Sequence, residues 1–218
     1  MHVCCAPCAA FPLLASSYFG NAAFPLLTSS YNGKAAFPLL ANSYNVSAAF
    51  PLLASLRDEW SKFDITGLFY NPNIHPVAEF EKRLGGAIEL FAQTRHPLIV
   101  LDAYMQNEWE AFEESNIDFD ANEKKRLRCE MCYRTRLAYI AEFARSEGFE
   151  AFTTTLLISP YQDHELIKAI SCELSVRNEV DFVYIDWRPY FRDGQRLARE
   201  LGVYRQKYCG CIISAPHQ

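Results

Sequence analysis

Seven of the eight cysteines in this 218-residue chain fall in three short-spaced sets: Cys4, Cys5 and Cys8, then Cys129 and Cys132, then Cys209 and Cys211. Thiolates are soft ligands for zinc and iron–sulfur centres, and they are also the working ends of dithiol redox pairs. A Cys-x-x-Cys spacing at the mouth of a helix lets two thiolates reach one metal or cluster. Lys124, Lys125, Arg126 and Arg128 lie close by in sequence, and with a helix N-terminus they would lower the thiol pKa of Cys129 and Cys132. Zinc, iron–sulfur and metal-free dithiol sites all use this spacing. Adjacent Cys4 and Cys5 are unlike a zinc knuckle, whose ligands are usually about two to four residues apart. Cys209-Gly210-Cys211 is also tight for a metal knuckle and suits a strained disulfide that cycles, with Gly210 relieving the backbone. A structural zinc site needs about four ligands and would leave the other thiols idle. Cys172 stands alone in an apolar helical pattern and reads as a small core residue.

Composition sets the context for these thiols. Hydrophobic residues make up 50% and charged residues 22%, which suits a single α/β metalloenzyme domain over residues 1–218. The formal net charge of -5 argues against a general nucleic-acid coat, but the charge is uneven. Residues 102–123 hold eight acids and no Lys or Arg, 124–145 hold seven bases against two acids, and 188–207 hold six bases against two acids. The two basic stretches are either solvated helix faces or the grip on a phosphate-bearing substrate. No apolar run approaches the ~18 residues of a membrane span. The N-terminus MHVCCAPC has neither a basic nor a clean apolar leader region. These features place the protein in the cytoplasm and away from membranes, where many cysteines point to metal or redox chemistry.

The elements that must position the thiols are read from periodicity. Copies of AAFPLL begin at Ala9, Ala22, Ala35 and Ala48, a tandem repeat of 13 residues. Residues 9–47 read as an insertion of such repeats, poorly ordered, into an otherwise ordinary unit. Each copy carries a proline, which limits a continuous helix. The last copy runs into a helix over 56–60. Strands are expected over 1–5, 65–70, 98–102, 152–156 and 182–186, and helices over 77–94, 108–114, 129–148, 164–178 and 195–201. This alternation predicts a mainly parallel, Rossmann-like sheet with helices on both faces, interrupted near the N-terminus by the repeat. Ligands sit at the carboxyl ends of such strands, which puts Cys4, Cys5 and the 71–75 loop on one edge.

Polar groups elsewhere add candidates. Tyr70-Asn71-Pro72-Asn73-Ile74-His75-Pro76 is either a substrate loop or a turn with capping residues. The hydroxyls of Thr153, Thr154 and Thr155 either hold phosphate or ribose or simply favour a strand. Tyr204-Arg205-Gln206-Lys207-Tyr208 mixes aromatic and basic groups, as a segment that stacks bases and touches phosphates would, or as a packed tail would.

The motifs taken together resemble a known family. His2-Val3-Cys4-Cys5-Ala6-Pro7-Cys8, the 69–76 run, Arg128-Cys129-Glu130-Met131-Cys132-Tyr133, Phe152 to Leu157, and the 204–211 run come in the order of QueH-type epoxyqueuosine reductases. That resemblance implies the last step of queuosine synthesis: reductive removal of the epoxide oxygen at the wobble base of tRNA for Asp, Asn, His or Tyr. It implies a 4Fe–4S cluster held by Cys4, Cys5, Cys129 and Cys132, no cobalamin, and a redox-active pair of Cys209 and Cys211. Some members carry Asp where Cys8 stands, and Cys8 would serve an additional iron or assist the cluster. Tyr70, Asn71, Asn73, His75, Tyr133 and Arg134 are then candidates for substrate contact, with His75, Tyr70 and Tyr133 as proton donors. Lys124, Lys125, Arg126, Arg205 and Lys207 would meet the tRNA anticodon stem-loop, and an unidentified electron donor would reset the enzyme. Removing 9–47 joins Cys8 to Ala48 and restores the family's length. The family has several apolar residues before its His-x-Cys-Cys motif where this sequence has Met1, so a start further upstream is one expectation. Two rivals remain open on the residues alone: a non-catalytic zinc-binding RNA adaptor and a metal-free thiol–disulfide oxidoreductase. A dinucleotide dehydrogenase is disfavoured, because no Gly-x-Gly-x-x-Gly follows a strand.

Overall fold

A computed structural model describes residues 1–17, 63–101, 103–116 and 118–211. Most of the repeat, the helix expected over 56–60 and Asp102 lie outside the described residues. Six α-helices are described: α1 (Ala6–Ser17), α2 (Val77–Thr94), α3 (Gln106–Ser115), α4 (Ala121–Ser146), α5 (His164–Asn178) and α6 (Phe191–Glu200). Four short strands accompany them: β1 (Gly67–Phe69), β2 (Leu98–Val100), β3 (Ala151–Phe152) and β4 (Asp181–Phe182).

The described residues form the expected mixed α/β arrangement with parallel strands, but a large Rossmann-like sheet is not shown among them. The strands make two separate two-stranded parallel sheets, β1 with β2 and β3 with β4. His2 makes a single parallel bridge to each side, to Leu68 and to Thr154. Its N–H donates to the Thr153 carbonyl at 2.8 Å, its carbonyl accepts from Thr155 at 2.9 Å, and Val3 donates to Leu68 at 2.9 Å. The spatial order is therefore β2, β1, the His2 segment, β3, β4. The ladders are short because the chain leaves each strand early to build loops. Thr155–Ile158 turns into a 3-10 helix where 152–156 read as a strand, and the 182–186 strand stops at Phe182.

Helix ends follow local chemistry. α4 begins eight residues before the expected Cys129, because the Asp120 carboxylate caps it, accepting from Asn122 at 2.8 Å and Glu123 at 3.0 Å. It closes just before Gly148, whose φ of 74 is the left-handed turn glycine favours. α6 likewise starts at Phe191 rather than at 195, following a 3-10 turn over Arg188–Tyr190. Cys172 is exposed, not a core residue. The buried face of α5 is made by Ile167, Ile170, Ser171 and Leu174, and Cys172 lies off it. No helix among the described residues is long and apolar enough to cross a membrane.

α1 packs against α2 and α6, and α4 against α5 and α3. The first repeat copy takes part in this core: α1 continues through Pro12 to Ser17, and Ala9, Ala10, Phe11 and Leu13 are buried. Phe11 stacks on Tyr190, with centroids 4.5 Å apart, and meets the Trp187 ring edge-on at 6.0 Å. Burial of Ala9, Ala10, Phe11 and Leu13 together offsets the helix hydrogen bond that Pro12 cannot donate. Phe11→Ala is expected to cost about 3–5 kcal/mol, read as a lowered midpoint in denaturant unfolding.

Candidate metal centre

The N-terminal thiols sit where a strand-like segment turns into α1. Their three sulfur atoms lie within 4.8 Å of one another, and Cys4 Sγ and Cys5 Sγ are 3.6 Å apart. All three residues are buried. Thr155 fixes the first of them: its hydroxyl accepts from the Cys4 N–H at 3.1 Å and donates to Cys4 Sγ at 3.2 Å. Gln206 donates to Cys5 Sγ at 2.8 Å and faces Cys8 Sγ at 3.9 Å. Hydrogen bonds from Cys5 and Cys8 hold the Cys4 thiol well below its usual range. Burial pushes Cys5 up, and the bond to Cys4 is the first cause pushing Cys8 up. Cys4 and Cys5 directly precede α1 and Cys8 lies in its first turn, so the helix N-terminus supports negative charge here.

That is the role expected of Cys129 and Cys132, and the structure assigns it elsewhere. Both lie inside α4, well past its first turn, where the end dipole has faded. Burial raises the Cys129 thiol and pushes Cys132 up to about 11. Arg136, one turn on, is buried and opposes this: its Nη2 donates to Cys132 Sγ at 2.7 Å, and its Nε donates to the Cys132 carbonyl at 3.3 Å. The same guanidinium lies within electrostatic reach of Cys4 and Cys209. It stands as a shared cation among three sets of thiols. Asn73 Nδ2 also donates to Cys132 Sγ, at 3.4 Å.

The C-terminal pair is brought in by a clamp that sequence reasoning missed. Arg83 on α2, only 3% exposed, bonds Glu79 at 2.7 Å, the Cys209 carbonyl at 2.8 Å and the Tyr208 carbonyl at 2.9 Å. Tyr204 donates to the second Glu79 oxygen at 2.6 Å. The His75 N–H donates to the Gly210 carbonyl at 2.8 Å, and the Tyr208 hydroxyl to the His75 carbonyl at 2.6 Å. Cys209 is exposed and hydrogen-bonded to Cys211, and that bond pushes its thiol pKa up. Among the described residues the cysteines form no disulfide. Gly210 has φ of 108, and a Cβ there would meet the Arg83 guanidinium at 2.7 Å. Gly210→Ala is therefore expected to release the 204–211 segment, seen as faster alkylation of Cys209 and Cys211 with little loss of overall fold.

The remaining candidates divide by what their polar atoms already do. Asn71 and His75 are buried; Asn71 Nδ2 donates to the Val3 carbonyl at 2.8 Å, and His75 Nδ1 lies 2.8 Å from the Tyr104 hydroxyl. Asn71 Oδ1, Asn73 Oδ1, His75 Nε2 and Gln206 Oε1 are buried with no hydrogen-bond partner, a cost that a bound group can remove. Tyr70 stacks on Tyr139 at 4.2 Å, and its hydroxyl points to Met105 Sδ at 4.0 Å. The Tyr133 hydroxyl donates to Gln162 at 2.8 Å and accepts from the Asp163 N–H at 3.2 Å. Arg134 bridges Glu130 and Glu173 at the surface. Lys125, Arg126, Arg205 and Lys207 are exposed and Lys124 is half-buried. The Thr153, Thr154 and Thr155 hydroxyls bond the Val183 carbonyl, the His2 ring and Cys4.

Fold and site together define a cysteine-rich α/β protein of the metal- or redox-active class. The family model described as "Epoxyqueuosine reductase QueH" matches residues 47–217. The chain belongs to this family. It is 34% identical to the epoxyqueuosine reductase QueH of Dehalococcoides mccartyi over 152 residues, 70% of this chain and 79% of that one. It is 35% identical to that of Thermotoga maritima over 153 residues, covering 69% and 79%. The relative in Streptococcus pyogenes is 26% identical over 229 residues and spans 100% of this chain, the N-terminal thiols included, and 70% of its own. These matches do not favour a zinc adaptor or a metal-free thiol oxidoreductase.

Proposed function

We propose that this chain reduces epoxyqueuosine to queuosine at the wobble position of tRNA for Asp, Asn, His or Tyr, with a 4Fe–4S cluster and without cobalamin, in the cytoplasm. The observation that carries the reading is the buried triad of Cys4, Cys5 and Cys8 sulfurs within 4.8 Å of one another. A soft, buried thiolate set with N–H and O–H donors aimed at its sulfurs fits an iron–sulfur centre. Cys4 and Cys5, with Cys129 and Cys132, would hold the cluster, and Cys8 an additional iron. When bound, the cluster supplies single electrons.

Converting the epoxide to the cyclopentene takes two electrons and two protons and releases the oxygen as water. Closure of the Cys209–Cys211 dithiol to a disulfide yields two electrons and two protons, and an external dithiol reductant reopens it. His75 is the best-placed proton donor. Its Nε2 is buried and unpartnered, whereas the Tyr133 hydroxyl is spent on Gln162 and the Asp163 N–H, and Tyr70 faces Met105. Lys124, Lys125 and Arg126 lie in the first two turns of α4, where cations oppose the helix dipole, and a phosphate would relieve that. With Arg205 and Lys207 they would hold the anticodon loop by its backbone while the modified base is splayed out.

The test is incubation of the anaerobically prepared full chain with tRNA carrying epoxyqueuosine, followed by digestion and nucleoside analysis. Queuosine should replace epoxyqueuosine. Unchanged epoxyqueuosine with iron-loaded, reduced protein would reject the reading.

A further inference from the structure

We infer that Tyr104, Gln106 and Glu110 form an orienting chain that fixes His75 in a single tautomer, with Nδ1 protonated and Nε2 left as its working atom. The inference deepens the proposed function and rests on His75 being the proton donor there.

The assignment follows from donors and acceptors. A carboxylate only accepts, so the bond of 2.6 Å between Gln106 and Glu110 is donated by the Gln106 amide nitrogen. The two residues are one turn apart on α3, which lets them meet. The amide must then present its oxygen to Tyr104, 3.3 Å away. Tyr104 has one hydroxyl proton, and it goes to that oxygen. Its own oxygen is then left to accept. The imidazole nitrogen at 2.8 Å is therefore the donor: Nδ1 carries the proton. In the neutral ring Nε2 holds a lone pair, is buried and has no hydrogen-bond partner.

The ring's main chain is held from both sides by the segment carrying the C-terminal thiols, through Gly210 and Tyr208. The ionisable groups within its field are Glu110 and Cys211, with Tyr104 in contact. Burial lowers the imidazole pKa and so favours the neutral ring at rest. In the reaction Nε2 takes up one of the two protons released as the Cys209–Cys211 dithiol closes, its N–H bond then breaks as an O–H bond forms on the departing oxygen, the second dithiol proton completes the water, and the ring returns to the Nδ1–H form the chain holds. An amide does not pass protons, so Gln106 orients and does not conduct. This is the arrangement in which a histidine's second nitrogen is set by the partner of the first. Tyr104, Gln106 and Glu110 are positioning residues.

Long-range proton–nitrogen correlation spectra of the nitrogen-15-labelled full chain read the tautomer directly. Wild type should show Nδ1 protonated and Nε2 bare. Tyr104→Phe keeps the ring beside His75 and should give a mixture of tautomers. It should also lower kcat about 10- to 100-fold with KM little changed. Gln106→Leu removes the acceptor, turns the Tyr104 proton to Nδ1 and should switch the ring to the Nε2–H form. Gln106→Glu still accepts from Tyr104 and should retain the wild-type tautomer. An Nε2–H ring in wild type, or a tautomer that none of these variants moves, would overturn the inference. If the tautomers behave as stated but wild type leaves epoxyqueuosine unchanged, the proposed activity has failed and the orienting chain has not. If wild type is active and the tautomer is indifferent to Tyr104 and Gln106, the orienting chain has failed alone.

Discussion

The Cys211→Ser chain is expected to bind iron and tRNA normally and yet to complete no more than a single turnover where wild type completes many. Removing one epoxide oxygen takes an electron pair, whereas an iron–sulfur cluster passes electrons singly. The C-terminal dithiol supplies the pair, and serine cannot form the disulfide that stores the vacancy. The substitution should leave the frame intact. The clamp on this segment runs through the Arg83 bonds to the Cys209 and Tyr208 carbonyls and the His75 bond to Gly210, none of which uses the Cys211 sulfur. Single-turnover and multiple-turnover nucleoside assays, each with an iron count, separate this loss from failure to assemble. Sustained turnover by the serine variant would remove the dithiol from the electron path.

The Cys5→Ser chain is expected to fold and to lose most of its iron. Cys5 is one of the three buried thiols, 3.6 Å from Cys4 Sγ and 2.8 Å from the Gln206 amide. Serine can still accept that amide bond, so the packing cost is small, but a hydroxyl is a hard, protonated ligand at neutral pH and does not replace a thiolate. Metal affinity that depends on a deprotonated soft ligand falls accordingly. Iron per chain and the visible absorbance after anaerobic reconstitution should both drop, with an unfolding midpoint close to that of the wild-type apoprotein. Full iron retention would exclude Cys5 as a ligand.

The thiols themselves were legible in the sequence because short-spaced cysteines are rare and their chemistry is narrow. Their settings were less so. Cys129 and Cys132 do not open a helix, because the Asp120 carboxylate caps it a full two turns earlier, ahead of the apolar pattern that marks its buried face. Four of the five expected strands form in their segments but are shorter than the pattern suggests, and the 1–5 segment makes only the His2 bridges. The first repeat copy reads as part of an insertion, yet its Phe11 lies in the core. Arg83, Arg136 and Gln206 act across large sequence separations, on Cys209, Cys4 and Cys5, and nothing local to them signals it. The arginines' burial becomes visible only in the fold, where such a charge must find partners.

Iron and acid-labile sulfide per chain, measured in protein purified without oxygen, test the account most directly. About four of each, with any additional iron lost when Cys8 is replaced, is the result expected of a 4Fe–4S centre held by these thiols. Zinc without sulfide in a colourless sample would contradict it.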